Sequence, residues 1–353
     1  MEKIAIITGS SGLIGSESVK FFIEKGFNVV GIDNNMRKYF FGEQGSTEES
    51  KNKLIKLFED KYIHFNTDIR NYDELLEIFS KFSSKIKIII HTAAQPSHDW
   101  ASKEPVTDFT INANGTLNLL ELTRKYCKDA TFIFTSTNKV YGDTPNNLKL
   151  IETETRYEYF ENDSLSKGIN ENMTIDRSKH SLFGVSKLSA DVMCQEYGKY
   201  FGMNVGIFRG GCLTGPNHSG TELHGFLSYL IKCIVNDDTY KIYGYKGKQV
   251  RDNIHSLDLV KAFWFFHLNP KKGEVYNIGG GRENSISIIE TINLVNKLLD
   301  KNWDKFIFDK NNRIGDHIWY ITDNKKFISD FPLWKIEISL DETIKQIIKT
   351  HKN

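Results

Sequence analysis

A chain of 353 residues with 39% hydrophobic and 12% aromatic content can bury a sizeable core, as one large α/β domain or a nucleotide domain with a smaller companion. Its 46 Lys and Arg against 45 Asp and Glu leave a formal charge of +1, which excludes the bias expected of a nucleic-acid or acidic-membrane binder. Cys127, Cys194, Cys212 and Cys233 are far apart and form no CxxC pair, so neither a zinc site nor a disulfide framework is indicated.

The amino terminus enters the apolar run Ile4-Ala5-Ile6-Ile7 almost at once, with no signal peptide and no later run long enough to span a bilayer. The expectation is a cytoplasmic protein. That run reads as a buried strand, followed by Thr8-Gly9-Ser10-Ser11-Gly12-Leu13-Ile14-Gly15-Ser16 and helical periodicity up to Lys25. In such a unit the first glycine permits a tight turn, the second lets backbone approach a pyrophosphate, and the third lets helix and strand pack closely. The helix N-terminus then presents free N–H groups to the phosphates. A second strand, Val29-Val30-Gly31-Ile32, ends in Asp33, about 20 residues beyond the motif, where a carboxylate accepts hydrogen bonds from an adenosine ribose. A ligand-free glycine turn is the plainer alternative, and strand, helix and acid together argue against it. The acid favours NAD over NADP by repelling a 2′-phosphate, although Arg37 and Lys38 stand near enough in sequence to accept one.

The Glu- and Lys-rich stretch 42–60 reads as an exposed loop and surface helix, Tyr62 to Phe65 as a third strand leading to Asp68, and Tyr72 to Phe82 as a helix. A strongly apolar strand, Ile86 to His91, runs into Thr92-Ala93-Ala94-Gln95, where small residues let backbone pass close to a ligand. Pro96 to Trp100 reads as a polar-aromatic loop, in which His98 is as fit for substrate contact as for a structural role. A helix over 105–126 carries Asn112, and the strand from Thr131 to Phe134 delivers residues 135–142 to the carboxyl edge of the sheet. Residues 143–179 lack periodicity and suggest a lid or flap. An amphipathic helix from Ser181 through Tyr200, a strand from Val205 to Arg209, a turn over 210–220 and a helix from Leu223 to Val235 follow. Beyond them come short strands within 240–255, an apolar helix through Phe263 to Phe266, a strand from Val275 to Ile278, and helices over 286–299 and 340–351. His218, Glu222 and His224 have loosely metal-like spacing, but no helix sets all three on one face, so a nucleotide or sugar contact is expected and no metal.

The Gly9, Gly12 and Gly15 loop, Asp33, Asp68, Ala93-Ala94, Asn112, Thr137, Lys187, Arg209 with Gly215-Pro216, Arg251-Asp252 and Arg313 resemble the extended short-chain dehydrogenase/reductases that modify nucleotide-linked sugars. The resemblance covers essentially the whole chain. Residues 136–143, Glu152 to Tyr157, Gly247 to Asp252 and Asn277 to Gly280 narrow it to the epimerases of CDP-sugars. It implies a Rossmann-type doubly wound parallel sheet with a smaller C-terminal substrate-binding α/β region. The implied division is an NAD-binding domain over 1–205, with its flap at about 143–179, and a nucleotide-sugar-binding region over 206–353, of which about 246–272 returns to the first. It also implies a homodimer, or a tetramer, pairing through the helices near Asn112 and Lys187.

In the chemistry that the resemblance implies, a sugar carbon gives hydride to NAD while a phenolate, its pKa depressed from about 10 by a lysine, takes the hydroxyl proton. The keto sugar turns over and hydride returns to its other face. The resemblance places at Thr137 the hydroxyl that bonds the reacting oxygen, and at Lys187 the ammonium that holds the nicotinamide ribose. The family's Tyr-x-x-x-Lys is here Phe183-Gly184-Val185-Ser186-Lys187, and a phenyl ring has no proton to exchange. Lys139 is the first candidate for the missing base and His98 the second; a tyrosine replaced to trap a ligand, or a cofactor-bound scaffold without hydride chemistry, are the alternatives. Asn138 and Lys139 stand where the family's dehydratases carry Asp and Glu, which disfavours elimination of water. Cofactor contacts are expected at Gly9, Ser11, Gly12, Leu13, Ile14, Asp33, Asn34, Arg37, Asp68, Ile69, Ala93, Ala94, Gln95, Asn112, Thr135 and Lys187. Contacts with a nucleotide-diphosphate sugar, a CDP-sugar favoured, are expected at His98, Thr137, Asn138, Arg209, Cys212, His218, Glu222, His224, Arg251 and Arg313, the last two as guanidinium forks on the diphosphate.

Overall fold

Runs of β-branched residues build the centre of the fold. The structure, a computed structural model, describes residues 2–218, 220–222, 224–313 and 315–352. Strands β1 (Ile4–Thr8), β2 (Asn28–Ile32), β3 (Tyr62–Phe65), β4 (Ile86–His91), β5 (Thr131–Thr137), β6 (Asn204–Gly210) and β7 (Lys272–Ile278) form one seven-stranded sheet in the order β7-β6-β5-β4-β1-β2-β3. The pairs from β5 through to β3 are parallel. Every residue of β1 is buried, as expected of a parallel strand covered on both faces. The chain winds outward in both directions from β1 and β4, and such switch points are where doubly wound sheets bind ligands, beyond the carboxyl ends of the strands.

The chain divides into two units. The first comprises Met1–Val140, Leu182–Arg209 and Val260–Tyr276. Its helix α1 (Leu13–Glu24) buries Val19, Phe22 and Ile23, and the Tyr72–Phe82 helix buries Leu75, Ile78, Phe79 and Phe82 at helical spacing. Leu75, Ile78 and Phe79 join Ile4, Ile6, Ile89 and Phe132 in a common core. Residues 98–100, read from the sequence as part of a loop, open a short helix α2 (His98–Lys103), which Ser97 caps by accepting the Trp100 N–H at 3.4 Å. The helix expected over 105–126 is interrupted by a π-helical turn at Thr110–Asn114. Helix α3 spans Leu182–Phe201.

The second unit comprises Tyr141–Ser181, Gly210–Leu259 and Asn277–Asn353. Its core joins Leu230, Ile231 and Ile234 of the Phe226–Asn236 helix to Ile292 and Val295 of the Ile288–Leu299 helix and to Ile344 and Ile347 of the Leu340–Lys352 helix. Leu223, where the sequence set the start of the first of these, lies outside the described residues. The strand Val250–His255 pairs with Cys212–Thr214, Ser285–Ser287 and Trp319–Tyr320. That pairing corrects the expected return of about 246–272 to the first domain: the returning segment is Val260–Tyr276. Residues 141–181 likewise group with the second unit, not with a domain over 1–205. Their backbone is tied there, Tyr157 N–H donating to the Lys248 carbonyl at 2.9 Å and Ile169 N–H to that of Ile321 at 2.7 Å. Among the described residues no helix is long and apolar enough to cross a membrane.

Candidate active site

The glycine loop between β1 and α1 separates into two kinds of position. At Gly9, whose φ is +65°, a Cβ would sit 2.8 Å from the Ala93 nitrogen, and at Gly15 it would sit 2.0 Å from the Gly9 carbonyl oxygen. The protein's own packing requires both. At Gly12 a Cβ would meet only the Gly9 oxygen, at 3.3 Å, so this side of the backbone is open to another molecule. Gly12 is also the N-cap of α1, with no capping side chain and no acid in the first turn. The N–H groups of Leu13 and Ile14 head that turn, where no intrahelical acceptor is within reach. Beside the loop, Asp33 Oδ2 accepts the Ser11 N–H at 3.0 Å and Oδ1 accepts that of Asn35 at 2.8 Å, which pins the acid next to the open turn. Asn34 donates to Asp68 at 3.1 Å, and both line an open recess with Asn35, Met36, Lys38, Tyr39 and Arg70. Open backbone, helix N-terminus, acid and recess follow in the order that pyrophosphate, ribose and adenine require, so these residues fit a dinucleotide.

The side chains of several expected cofactor contacts are engaged by the protein itself. The Arg37 guanidinium lies over the Phe41 ring at 4.8 Å, and burial pushes its pKa down to about 10. Ile69 is a core residue packed against Gly115. Gln95 and Asn112 turn inward to each other. Asn112 Oδ1 accepts the Gln95 N–H at 3.0 Å, and its Nδ2 donates to Asp108 Oδ1 and Ser186 Oγ, both at 3.0 Å. Gln95 Nε2 donates to the same Asp108 oxygen at 2.7 Å. Ala93 and Ala94 are half-buried on the loop after β4.

At the carboxyl end of β5, Thr135 Oγ1 donates to the His91 carbonyl at 2.7 Å, while its own carbonyl accepts Lys187 Nζ at 2.8 Å. Lys187 is buried against the Phe134 ring at 4.1 Å, and desolvation pushes its ammonium down to about 8. Thr137 Oγ1 accepts the Lys139 N–H at 3.2 Å and donates to Asn138 Oδ1 at 3.4 Å. Asn138 is buried and Lys139 half-buried in the turn that follows. Phe183 stands one turn ahead of Lys187 on α3, with His98 edge-on against it: the ring centroids are 5.0 Å apart and the planes 73° apart. The structure thus brings the second of the two base candidates to the place of the missing tyrosine.

The expected substrate residues of the second unit form a chain. Arg251 Nη2 donates to Asp316 Oδ1 and its Nη1 to the Val250 carbonyl at 2.7 Å. The Asp316 N–H donates to the Arg313 carbonyl at 3.2 Å, the Arg313 guanidinium lies 5.8 Å over the Tyr243 ring, and Tyr243 OH donates to Glu222 at 2.7 Å. His218 and His224 pack edge to face with centroids 5.5 Å apart, and Cys212 is half-buried in a strand that pairs with Asn253. Among the described residues no group of His, Cys, Asp and Glu could hold a metal ion. Arg209 is a correction. Its Nε and Nη2 both bond Asp191, at 3.0 and 2.9 Å, and Ser136 Oγ donates to the same carboxylate at 2.5 Å, so the guanidinium anchors β6 to α3 inside the protein. Asp191, Asp108, Tyr243 and Asp316 escaped the sequence reading; only Asp191, four residues after Lys187, carried a hint, since that spacing shares a helix face.

A parallel sheet wound outward from an open glycine turn, with an acid at the end of its second strand, defines a Rossmann-type dinucleotide-binding protein. Residues 5–279 match the NAD dependent epimerase/dehydratase family, and the chain belongs to it. It is 30% identical to the CDP-paratose 2-epimerase of Salmonella typhi over 97% of each chain. It is 29% identical to a putative UDP-glucose 4-epimerase of Methanocaldococcus jannaschii over 99% of this chain and 98% of that one. Among solved structures, a tyrosine-to-phenylalanine variant of the Bacillus cereus UDP-glucuronic acid 4-epimerase, in complex with UDP-4-deoxy-4-fluoro-glucuronic acid and NAD, matches with a TM-score of 0.78, 25% identity and 99% coverage of both chains. The family and fold expected from the sequence are borne out.

Proposed function

We propose that the protein epimerises a nucleotide-diphosphate sugar by transient oxidation and hydride return, with CDP-sugars of the CDP-paratose type as the first substrates to try. The observation that supports the reading is that the carboxyl end of β5 carries Thr137 and holds Lys187 through the Thr135 carbonyl, beside an Asn138 that cannot protonate a leaving hydroxyl. NAD, when bound, supplies the hydride acceptor. The backbone at Gly12, Leu13 and Ile14 faces its pyrophosphate, Asp33 accepts from the adenosine ribose, Asn34 and Asp68 border adenine, and the Lys187 ammonium holds the nicotinamide ribose. The Thr137 hydroxyl orients the sugar oxygen that loses and regains its proton. In the second unit, Arg251 and Arg313 offer guanidinium forks to the diphosphate, Arg251 by exchanging Asp316 for phosphate oxygen.

Pairing as a homodimer belongs to the same reading. Val185 and Val192 are exposed apolar residues on α3, and sedimentation reads the mass. So does a cytoplasmic role in making sugar donors for polysaccharide or lipopolysaccharide. Purified protein incubated with CDP-, UDP- and GDP-sugars is expected to yield a stereoisomer of one of them, read by NMR. No turnover of any sugar contradicts the reading and favours the rival that Phe183 raises, an NAD-bound regulatory or scaffold protein.

A further inference from the structure

We propose that the His98 imidazole is the catalytic acid–base that takes over from the family's phenol, an assignment that rests on the epimerase reading. Phe183 occupies the tyrosine's place one turn ahead of Lys187 and leaves that place without an exchangeable proton. The His98 ring lies against it at 5.0 Å, so a ring with two nitrogens borders the ring that lacks a hydroxyl. An imidazole's ordinary titration range straddles neutral pH, which suits proton transfer in both directions; an ordinary lysine ammonium's does not. This is the physical ground for preferring His98 to Lys139.

A frame of buried hydrogen bonds holds His98 in register with α3. Gln95 Oε1 accepts the Ser97 N–H at 2.5 Å, and Gln95 Nε2 donates to the Ser97 carbonyl at 2.8 Å and to Asp108 Oδ1 at 2.7 Å. Asn112 Nδ2 then joins Asp108 to Ser186 Oγ, on α3 between Phe183 and Lys187, at 3.0 Å to each. Ser97 caps α2, and His98 is the first residue of that helix. Gln95 and Asn112, whose side chains are bonded within the protein, gain a role here: they are positioning residues for the start of α2, which carries the imidazole. A bonded frame of this kind fixes a side chain that stands at the first position of a short helix.

The step balances. The sugar O–H proton passes to an imidazole nitrogen while the carbon–hydrogen bond breaks and its electron pair leaves as hydride to NAD, so the alcohol becomes a ketone and NAD becomes NADH. On return, the imidazolium gives the proton back to the carbonyl oxygen as hydride reaches the opposite face of the same carbon.

The test uses the full-length, NAD-loaded protein and the sugar panel above. Absence of turnover by the wild type withdraws the epimerase reading and this assignment together; turnover by the wild type isolates the role of His98. In that case His98→Gln is expected to lower kcat by about a hundredfold or more, with KM, NAD affinity and melting temperature unchanged. Adding Phe183→Tyr to the same variant, or imidazole to the buffer, is expected to restore part of the lost rate. The nitrogen-15 resonances of the His98 ring are expected to shift when the reactive nucleotide sugar binds and to stay in place with the nucleotide diphosphate alone. An unchanged kcat in His98→Gln overturns the assignment. So does a loss that neither the new phenol nor imidazole repairs, because that pattern marks a merely structural residue.

Discussion

At the residue scale, the burial of Lys187 sets a measurable pH dependence. Its pKa falls from 10.5 to about 8, chiefly through desolvation, so the folded protein loses this charge as pH rises through about 8 while the unfolded chain keeps it. The stability deficit from holding a buried ammonium is therefore full below about 8 and fades between there and 10.5 as pH rises. NAD affinity is expected to weaken through the same interval, as the ribose loses a charged donor. Lys187→Met is expected to bind NAD roughly ten- to a hundredfold more weakly at neutral pH, and with no inflection near the lysine's titration, in fluorescence titrations. A different residue-scale effect is expected at Asp191. Asp191→Asn leaves the Arg209 guanidinium buried without its counter-charge and should lower stability by about 3–5 kcal/mol in urea unfolding. The sequence displayed Arg209 as a cation at a strand end, where it resembled a substrate ligand. Its commitment to Asp191 was illegible, because only packing decides which acid a buried arginine meets.

At the scale of elements, the strand–glycine loop–helix unit was legible because all its determinants are local: an apolar run, three glycines and an acid at the next strand end. The structure adds that those glycines are not equivalent. Gly15→Ala drives a Cβ to 2.0 Å from the Gly9 oxygen and is expected to destabilise the fold by about 1–3 kcal/mol. Gly12→Ala should leave the melting temperature almost unchanged and weaken NAD binding by about tenfold or more, because the new methyl enters the space left for the pyrophosphate. Parallel melting curves and NAD titrations separate the two, and equal losses of stability would contradict this division. The α2 helix was missed although Ser97 is a good cap, since Pro96 and a short polar run read as loop. The π-turn at Thr110–Asn114 had no local signal, because the inward pull on Asn112 comes from Gln95 and Ser186, distant in the chain.

Across the whole molecule, each unit has its own core, and the chain passes between them repeatedly. That interleaving hid the assignment of residues 141–181, whose ties to Lys248 and Ile321 join segments far apart in sequence. The family could still be read, since its motifs are short and each lies in one segment, whereas the contacts of Arg313 with Tyr243 and of Arg251 with Asp316 are ones that only folding assembles. In the proposed epimerisation a hydrogen leaves one carbon of a nucleotide sugar and returns to that same carbon without meeting solvent. The most direct measurement is NMR of the product formed from a substrate deuterated at the reacting carbon, in ordinary water with no added NADH. An epimer that keeps its deuterium is the expected product; an epimer carrying solvent hydrogen at that carbon rules out hydride return.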